Sequence, residues 1–189
     1  IRIDKRLTIN GPFANTSGCD MSRGTGEAIL HALTDGGTVI SITAAGTSIA
    51  GLTVDGLDAM NATQALVAVT STVDATVTNT IITNLTNADP ASMDVPYGIF
   101  FAGNLMGEIS NNCISNVASQ SLAGVATGMG VPGFGIMLLG DATVNTESNE
   151  VTSSDVGLRI STNTSGSITV KDNTTSSGIL SPLTVGISI

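Results

Sequence analysis

The residues whose spacing best suits acid–base chemistry are two acidic pairs and one arginine. Asp55 and Asp58 lie three positions apart after an apolar run, and Glu147 and Glu150 repeat that spacing. A polysaccharide lyase needs acidic side chains that hold calcium, close to a basic side chain that removes a proton. Arg159 is the best single candidate for that base, because it follows the glutamate pair by one repeat. A solvated charge on an outward position explains Arg159 as well, and no cluster of basic residues adjoins either pair.

The other candidates for catalysis or cofactor binding are weaker. His31 is the only histidine, so neither a histidine-rich metal site nor a Ser-His-Asp arrangement is expected. Gly128, Gly130 and Gly133 match a dinucleotide-binding pattern, but Pro132 interrupts it and a strand-like run follows where a helix is required. Core packing explains most of the aromatic residues that a sugar site would use: Phe13, Tyr97, Phe100, Phe101 and Phe134. We therefore expect no catalytic residue, no metal and no cofactor, and we regard an enzyme as the weaker class.

The composition of the chain limits the kinds of partner that it could bind. The 189-residue chain has 15 acidic and 6 basic residues, and its net charge of −9 argues against binding to nucleic acid or to an anionic membrane surface. No run of 18 apolar residues occurs, so a membrane span is not expected. Ser, Thr and Asn number 20, 26 and 14, whereas charged residues are only 11% of the chain. This scarcity of charge excludes a charged coiled coil.

Two short blocks recur in alternation along the chain. The first block starts with a small residue and continues as an apolar strand, at Gly37, Ala65, Gly98, Gly135, Gly157 and Gly186. The second block aligns without gaps over five copies, which begin at Ile49, Val77, Ile109, Thr146 and Val170. From the first block to the fourth residue of the second, the distance is always 14 to 16 residues, whereas the return distance varies from 8 to 23. A constant stretch followed by a variable one indicates a coil whose turns carry insertions.

Apolar and polar residues alternate within the second block, which predicts where its side chains point. The sixth positions stack as an inward apolar column if the copies are in register: Val54, Ile82, Ile114, Val151 and Thr175. The fourth positions include Asn112, Asn149 and Asn173. We expect these three to form a structural ladder that hydrogen-bonds along the axis at a turn, with a polar binding stripe as the alternative.

These patterns predict an all-β fold, a right-handed single-stranded parallel β-helix of about six coils with three short strands each. Residues 1–189 form a single domain, with longer loops at residues 11–26, 86–97 and 117–134. Residues 26–33 fit either a short helix or the second strand of the first coil, and we favour the strand.

Several segments resemble known β-helix proteins. LTINGP, SGCDMSRGTGEAI and TVISITAAGTSIAGLTVDG resemble the opening of right-handed parallel β-helix regions in exported bacterial and archaeal surface proteins. The later GI-x-x and N-x-I/V-x-N pieces are similar to the pectate-lyase-like β-helix repeat. The resemblance covers nearly the whole chain and implies the fold and an extracellular or cell-surface location. It implies little about activity, because that fold hosts lyases, hydrolases, epimerases, adhesins and phage spikes.

The cysteines and the glycosylation sequons fit an exported protein without demonstrating one. Either one disulfide or two free thiols is compatible with Cys19 and Cys113. Sequons for N-linked glycans occur five times, and several are expected by chance in a chain so rich in Asn, Ser and Thr. They lie at Asn15, Asn61, Asn84, Asn163 and Asn173.

The longest loop and the two ends of the sequence suggest partners. Residues 117–134 are uncharged, and an apolar set within them suggests a protein contact: Leu122, Val125, Met129, Val131 and Pro132. Packing of this loop onto its own solenoid explains the same set equally well. IRIDKRLTI at the start and PLTVGISI at the end both read as strands without a polar cap. We therefore expect either that copies of the chain meet there or that a longer protein continues.

We expect a non-enzymatic structural or adhesive surface protein that assembles with copies of itself, end to end or through loops, into a fibre, sheath or coat. Surface glycans are further candidate partners. The alternative is a carbohydrate-active enzyme, either a polysaccharide lyase or a glycoside hydrolase, or a carbohydrate-binding module. Its site would lie near Glu147, Glu150 and Arg159.

Overall fold

The computed structural model describes residues 1–32, 37–56, 66–87, 95–103, 105–119, 132–161, 167–177 and 185–188. Every helix or strand in these ranges is a β-strand, so none of the described residues forms a helix that could cross a membrane. The strands are β1 (Arg2–Ile3), β2 (Thr8–Asn10), β3 (Ile29–His31), β4 (Gly37–Ile42), β5 (Thr47–Ala50), β6 (Thr53–Asp55), β7 (Leu66–Ser71), β8 (Ala75–Thr78), β9 (Ile81–Asn87), β10 (Tyr97–Ala102), β11 (Met106–Ser110), β12 (Cys113–Ser119), β13 (Phe134–Leu139), β14 (Thr143–Glu147), β15 (Glu150–Ser154), β16 (Val156–Ser161), β17 (Ile168–Lys171), β18 (Thr174–Ser177) and β19 (Val185–Ser188).

Every third strand belongs to the same sheet. Sheet A has the order β1, β4, β7, β10, β13, β16 and β19, sheet B runs from β2 through β5, β8, β11 and β14 to β17, and sheet C from β3 through β6, β9, β12 and β15 to β18. All the pairings are parallel. One strand from each sheet makes a coil, so the described strands form six coils and begin a seventh. The predicted all-β parallel solenoid of six three-stranded coils is confirmed.

The register between coils follows the gapless alignment of the second block. In sheet B, the first positions of the block are paired from coil to coil: Ile49, Val77, Ile109, Thr146 and Val170. In sheet C, the same holds for the sixth positions: Val54, Ile82, Ile114, Val151 and Thr175. Because side chains alternate between the two faces of a strand, this register turns a pattern along the chain into continuous inward columns.

The core consists mainly of isoleucine, valine and leucine side chains, which suit strands because their branching fits the pleated surface. Ile49, Ile82 and Ile114 are fully buried, at 0% exposure. Phe101 belongs to this core cluster, and Phe134 is also buried, at 6% exposure. The other three aromatic residues are half-buried: Phe13, Tyr97 and Phe100.

Three predicted boundaries differ from the structure. In the predicted loop at residues 86–97, the first two residues end β9 and Tyr97 begins β10. Within residues 26–33, Ile29–His31 is a strand, but it is the third strand of the first coil, because Thr8–Asn10 already forms the second. In the predicted loop at residues 117–134, the first three residues continue β12 and Phe134 begins β13. Residues 120–131 and residues 88–94 of the other long loop lie outside the described residues.

Candidate functional site

Each coil from the second to the sixth turns from sheet B into sheet C through one residue with a left-handed backbone. The φ angles are 69° at Gly51, 52° at Asn79, 55° at Asn111 and Ser148, and 52° at Asp172. Glycine adopts this conformation at no steric cost, and asparagine and aspartate adopt it more readily than most residues. The next residue in each coil is the fourth position of the second block, so this corner positions the asparagines.

Asn112, Asn149 and Asn173 lie one above another at this corner. Asn112 Nδ2 donates to Asn149 Oδ1 at 2.9 Å, and Asn149 Nδ2 donates to Asn173 Oδ1 at 2.8 Å. The same two oxygens accept the backbone N–H groups of Asn112 and Asn149, at 3.1 and 3.0 Å. Asn112 and Asn149 are 0% and 1% exposed. These two amides therefore satisfy polar groups that water does not reach, and they are not on a solvent-facing stripe.

Residues 11–28, between β2 and β3, leave the first coil and run along the sheet B–sheet C corner as far as the fourth coil. We call them the strap. The Phe13 N–H donates to the Gly51 carbonyl in the second coil at 3.3 Å. The Gly18 N–H donates to the Asn111 carbonyl in the fourth coil at 2.8 Å. The strap thus binds the carbonyl groups of the left-handed turns directly.

Arg23 and Asn79 hold the strap over the third coil. Arg23 Nη1 donates to the Asn79 carbonyl at 2.6 Å, while Arg23 Nε and Nη2 donate to the two carboxylate oxygens of Glu27 at 3.2 and 2.5 Å. Asn79 Nδ2 donates to the Ala14 carbonyl at 2.7 Å. The Arg23 side chain is 3% exposed and its guanidinium carbon lies 5.0 Å from the ring centre of Phe13. A guanidinium this buried requires its carboxylate partner, because an unpaired buried charge costs about 3–5 kcal/mol.

Three glycines allow the strap to approach the turns this closely. A Cβ atom at Gly11 would lie 2.0 Å from the Gly51 carbonyl oxygen, and one at Gly51 would lie 2.0 Å from the Ala14 nitrogen. A Cβ atom at Gly18 would lie 2.6 Å from the Thr80 carbonyl oxygen. All three distances are shorter than real contacts, so a side chain at any of the three would force the strap and the turn apart.

A disulfide joins Cys19 in the strap to Cys113 at the start of β12, so the choice between a disulfide and free thiols is settled. Their Cα atoms are 4.8 Å apart, although 94 positions separate them in the sequence. The bond ties the first coil covalently to the fourth, beside the Asn112 end of the ladder.

A buried carboxylate anchors both ends of the loop that follows the fourth coil. Asp155 Oδ2 accepts the backbone N–H groups of Ser119 and Gly133, each at 2.8 Å. Asp155 is the single residue between β15 and β16 and is 6% exposed. Burial raises the pKa of this carboxyl, and the two N–H donors offset part of the rise.

We expect the charge of Asp155 to make the folded state less stable as the pH rises. Its pKa is higher in the folded protein, so its stabilising contribution is complete below the ordinary value of about 3.9 and is lost as the pH rises through the raised value. Asp155→Asn keeps an oxygen acceptor without the charge, so its stability relative to the natural chain should increase across that window. Urea unfolding between about pH 3.5 and 7 measures this difference.

Asp155→Ala is the matched control for the acceptor itself. It leaves both N–H groups without their partner and should be less stable than Asp155→Asn by about 2 kcal/mol throughout the pH range. A difference between Asp155→Asn and the natural chain that stays constant with pH would show that Asp155 titrates as an ordinary aspartate.

The predicted contact loop and glycine pattern fall mostly outside the described residues. This applies to Leu122, Val125, Met129, Val131, Gly128 and Gly130. Pro132 is described and is half-buried. A Cβ atom at Gly133 would lie 2.6 Å from the Val117 carbonyl oxygen, so this glycine serves a close backbone approach.

The structure does not bring the acid–base candidates of the sequence into one site. Glu147 ends β14 in sheet B, Glu150 begins β15 in sheet C, and Arg159 lies on β16 in sheet A. Lys171 Nζ in the next coil donates to Glu147 Oε1 at 2.5 Å. This hydrogen bond and the ammonium charge lower the pKa of Glu147 and raise that of Lys171. Glu147 is therefore held as an exposed ion pair.

Asp55 belongs to a second, outer ladder at sheet C. Its Oδ1 accepts Asn84 Nδ2 at 3.0 Å, and Asn84 Oδ1 accepts Asn116 Nδ2 at 3.0 Å. Asp55 Oδ2 lies 4.0 Å from His31 Nδ1. Asp58 is outside the described residues. Within the described ranges, no group of three His, Cys, Asp or Glu side chains could hold a metal ion.

Three aromatic rings stack on one another at the start of β10 and β13. The Tyr97 ring centre lies 4.8 Å from that of Phe100 and 5.7 Å from that of Phe134, with interplanar angles of 18° and 13°. The Arg159 guanidinium carbon lies 5.9 Å from the Phe134 ring centre. Burial raises the pKa of Tyr97. Each of the three rings thus contacts another side chain of the protein, and Tyr97 and Phe100 are half-buried.

The asparagines of the described sequons differ in hydrogen bonding and exposure. Asn84 and Asn173 both donate through Nδ2, to Asp55 Oδ1 and to the Thr146 carbonyl, whereas Asn15 in the strap is exposed. Asn61 and Asn163 lie outside the described residues.

Sequence analysis missed the strap, the Asp155 anchor and the outer ladder. One signal was available for the strap: Gly, Asn or Asp, which favour a left-handed backbone, precedes the fourth position in four of the five copies of the second block, and Ser148 does so in the remaining copy. Gly11 and Gly18 in the loop after β2 were a second signal, because glycines mark close backbone approach. The signal for Asp155 was a lone acidic residue between two strand-like runs.

The chain has no match among protein-family models, curated proteins or solved structures. The parallel β-solenoid is therefore shown by its strand pairing alone.

Proposed function

We propose that this protein is a non-enzymatic structural subunit of an extracellular fibre, sheath or coat, in which copies stack head to tail. The observation that carries the proposal is the open strand edge at each end of the described solenoid. β1, β2 and β3 at one end, and β19, β17 and β18 at the other, are each paired on one side only. An open edge is a template for another strand. All the pairings are parallel, so a second copy in the same orientation continues them.

The open edge of β2 can be assigned to particular backbone groups. The Leu7 carbonyl accepts the Ser48 N–H at 2.9 Å, and the Gly11 N–H donates to the Ala50 carbonyl at 2.8 Å. Consecutive residues of a strand direct their backbone groups to alternate sides. The N–H and carbonyl of Thr8 therefore face away from the second coil.

The opposite edge is assigned in the same way. The carbonyls of Ser167 and Lys171 accept N–H groups of the fifth coil at 3.1 and 3.0 Å. The backbone groups of Ile168 and Val170 therefore face the open side of β17. A second copy in the same orientation would bring its β2 beside this strand.

Side chains and charge at the two ends also fit a head-to-tail stack. Val170 is 38% exposed and ends the inward column of sheet B that Ile9 begins. Residues 1–10 contain three basic side chains and one acidic, a net charge of +2, whereas residues 132–177 contain five acidic and two basic, a net charge of −3. Opposite charges attract the two ends in this orientation and repel like ends.

The disulfide supports the extracellular location. A bond between Cys19 and Cys113 persists in an oxidising compartment and is rare in the reducing cytosol. An exposed surface rich in Ser and Thr is compatible with the same location.

We expect Thr8→Pro to block assembly without unfolding the solenoid. Proline removes the N–H that faces the open side, and on an edge strand it leaves the inner hydrogen bonds in place. The proposal predicts regular fibres, tubes or sheets of the natural chain by negative-stain microscopy across a concentration series. Thr8→Pro should give isolated rods at the same concentrations.

Thr8→Ala is the matched control, because it keeps the backbone N–H, and it should assemble like the natural chain. A natural chain that stays monomeric at every concentration would overturn the proposal. Isolated rods that bind acidic polysaccharide, with Arg159→Ala removing the binding, would instead support the carbohydrate-binding alternative.

A further inference from the structure

The first coil has the shortest strands of the solenoid. β1 has two residues and β2 and β3 have three each, whereas β9 and β12 have seven. Ile3 is the one residue of these three strands that is buried. A terminal coil with short pairing and little buried surface opens more easily than the coils it rests on.

The strap adds contacts that hold this coil beyond its strand pairing. It reaches three carbonyl groups on three successive coils, those of Gly51, Asn79 and Asn111. These contacts close a path of 18 residues that begins and ends in the first coil. The disulfide between Cys19 and Cys113 is the covalent link between the strap and the coils. Both cysteines are half-buried, so the bond is partly accessible to solvent.

We propose that the Cys19–Cys113 disulfide is a redox lock on the first coil, and that the coil becomes competent to stack on another copy only when the bond is closed. The second half of this statement rests on the function proposed above. In the opening step, a dithiol donates two electrons and two protons. The sulfur–sulfur bond breaks, Cys19 and Cys113 become thiols, and the dithiol is oxidised to its cyclic disulfide.

The lock makes assembly depend on the compartment. In a reducing environment the strap is held by hydrogen bonds alone, the first coil opens, and the edge of β2 is not presented as a template. In an oxidising environment, a disulfide-bearing oxidant accepts two electrons and two protons from the two thiols, the Cys19–Cys113 bond re-forms, and the edge is fixed. Subunits would then assemble after they leave the cell that makes them, which separates synthesis from polymerisation.

Hydrogen–deuterium exchange tests the lock without reference to assembly. The oxidised chain, the same chain treated with dithiothreitol and a Cys19→Ser/Cys113→Ser variant are compared. Opening the bond should speed exchange at residues 1–10 and 29–32 by about tenfold or more, while β8 and β9 of the third coil exchange as before. Met21→Ser is the matched control, because Met21 lies in the strap, is 100% exposed and leaves the bond intact.

Equal protection of the first coil with and without the bond would overturn the lock, and so would a loss of protection in all coils together. Microscopy of the same three samples tests the second half of the proposal, that stacking requires the closed bond. It should show fibres only from the oxidised chain, and equal assembly of oxidised and reduced protein would overturn this half. If the oxidised chain does not assemble at all, the proposed function fails, while the exchange data still decide whether the lock exists.

Discussion

Asn149→Ala should lower the free energy of unfolding by about 3–5 kcal/mol, because it removes four hydrogen bonds from the buried corner at once. Asn149 Oδ1 accepts from the backbone and the side chain of Asn112, at 3.1 and 2.9 Å. Its Nδ2 donates to the Ile109 carbonyl and to Asn173 Oδ1, both at 2.8 Å. With the side chain 1% exposed, water cannot replace these bonds unless the corner opens. Urea unfolding followed by circular dichroism measures the loss.

Asn10→Ala is the matched control for this substitution. Asn10 is also a strand-associated asparagine, but it is exposed, so its replacement should change stability by no more than about 0.5 kcal/mol. A loss below about 1 kcal/mol for Asn149→Ala would contradict the prediction and show that the corner finds other partners.

Gly51→Ala should strongly destabilise the fold, because it adds a methyl group where the strap lies against the turn. At φ = 69° an alanine already costs about 1–2 kcal/mol in backbone strain. Its Cβ atom would also lie 2.0 Å from the Ala14 nitrogen and 2.2 Å from the Phe13 carbonyl carbon, so the strap must move away. We expect a total loss of at least about 3 kcal/mol in the free energy of unfolding.

Gly46→Ala separates the two contributions. Gly46 has nearly the same φ, 72°, but its Cβ atom would meet only the flexible Arg6 side chain, at 3.2 Å or more. This variant should therefore lose only the backbone term of about 1–2 kcal/mol. If the two variants lose the same amount in thermal or urea unfolding, the contact between strap and turn adds nothing to stability.

The coils were predictable from the sequence because each is built from local alternation repeated in register. Ile49, Val77 and Ile109 are apolar at one position of a gapless block, and the ladder of hydrogen bonds then places them in one column. The asparagine positions were predictable for the same reason. Asn112 and Asn149 differ from Thr80 and Leu52 only in identity, at an unchanged place in the block.

The strap was not predictable in the same way, because its contacts are between backbone groups and have no period. Nothing in the sequence states that the Gly18 N–H meets the Asn111 carbonyl, since either residue could hydrogen-bond to water in an ordinary loop. The burial of Arg23 was hidden for a similar reason: an arginine and a glutamate four positions apart are common on exposed surfaces. The placement of Glu147 and Arg159 in different sheets was not predictable, because proximity in sequence does not distinguish the three faces of a solenoid.

The covalent bond between strap and fourth coil also changes how the molecule responds to force. A solenoid pulled along its axis releases one coil after another from its ends, and each released coil lengthens the chain. The bond from Cys19 to Cys113 bypasses 94 residues, which as extended chain would span roughly 320 Å. While the bond is closed, a pulling force cannot extend these residues. Under load, a rod built from such subunits would extend through the residues outside this loop, which include β1, β2 and the fifth and sixth coils, and would keep the residues between Cys19 and Cys113 as an inextensible segment.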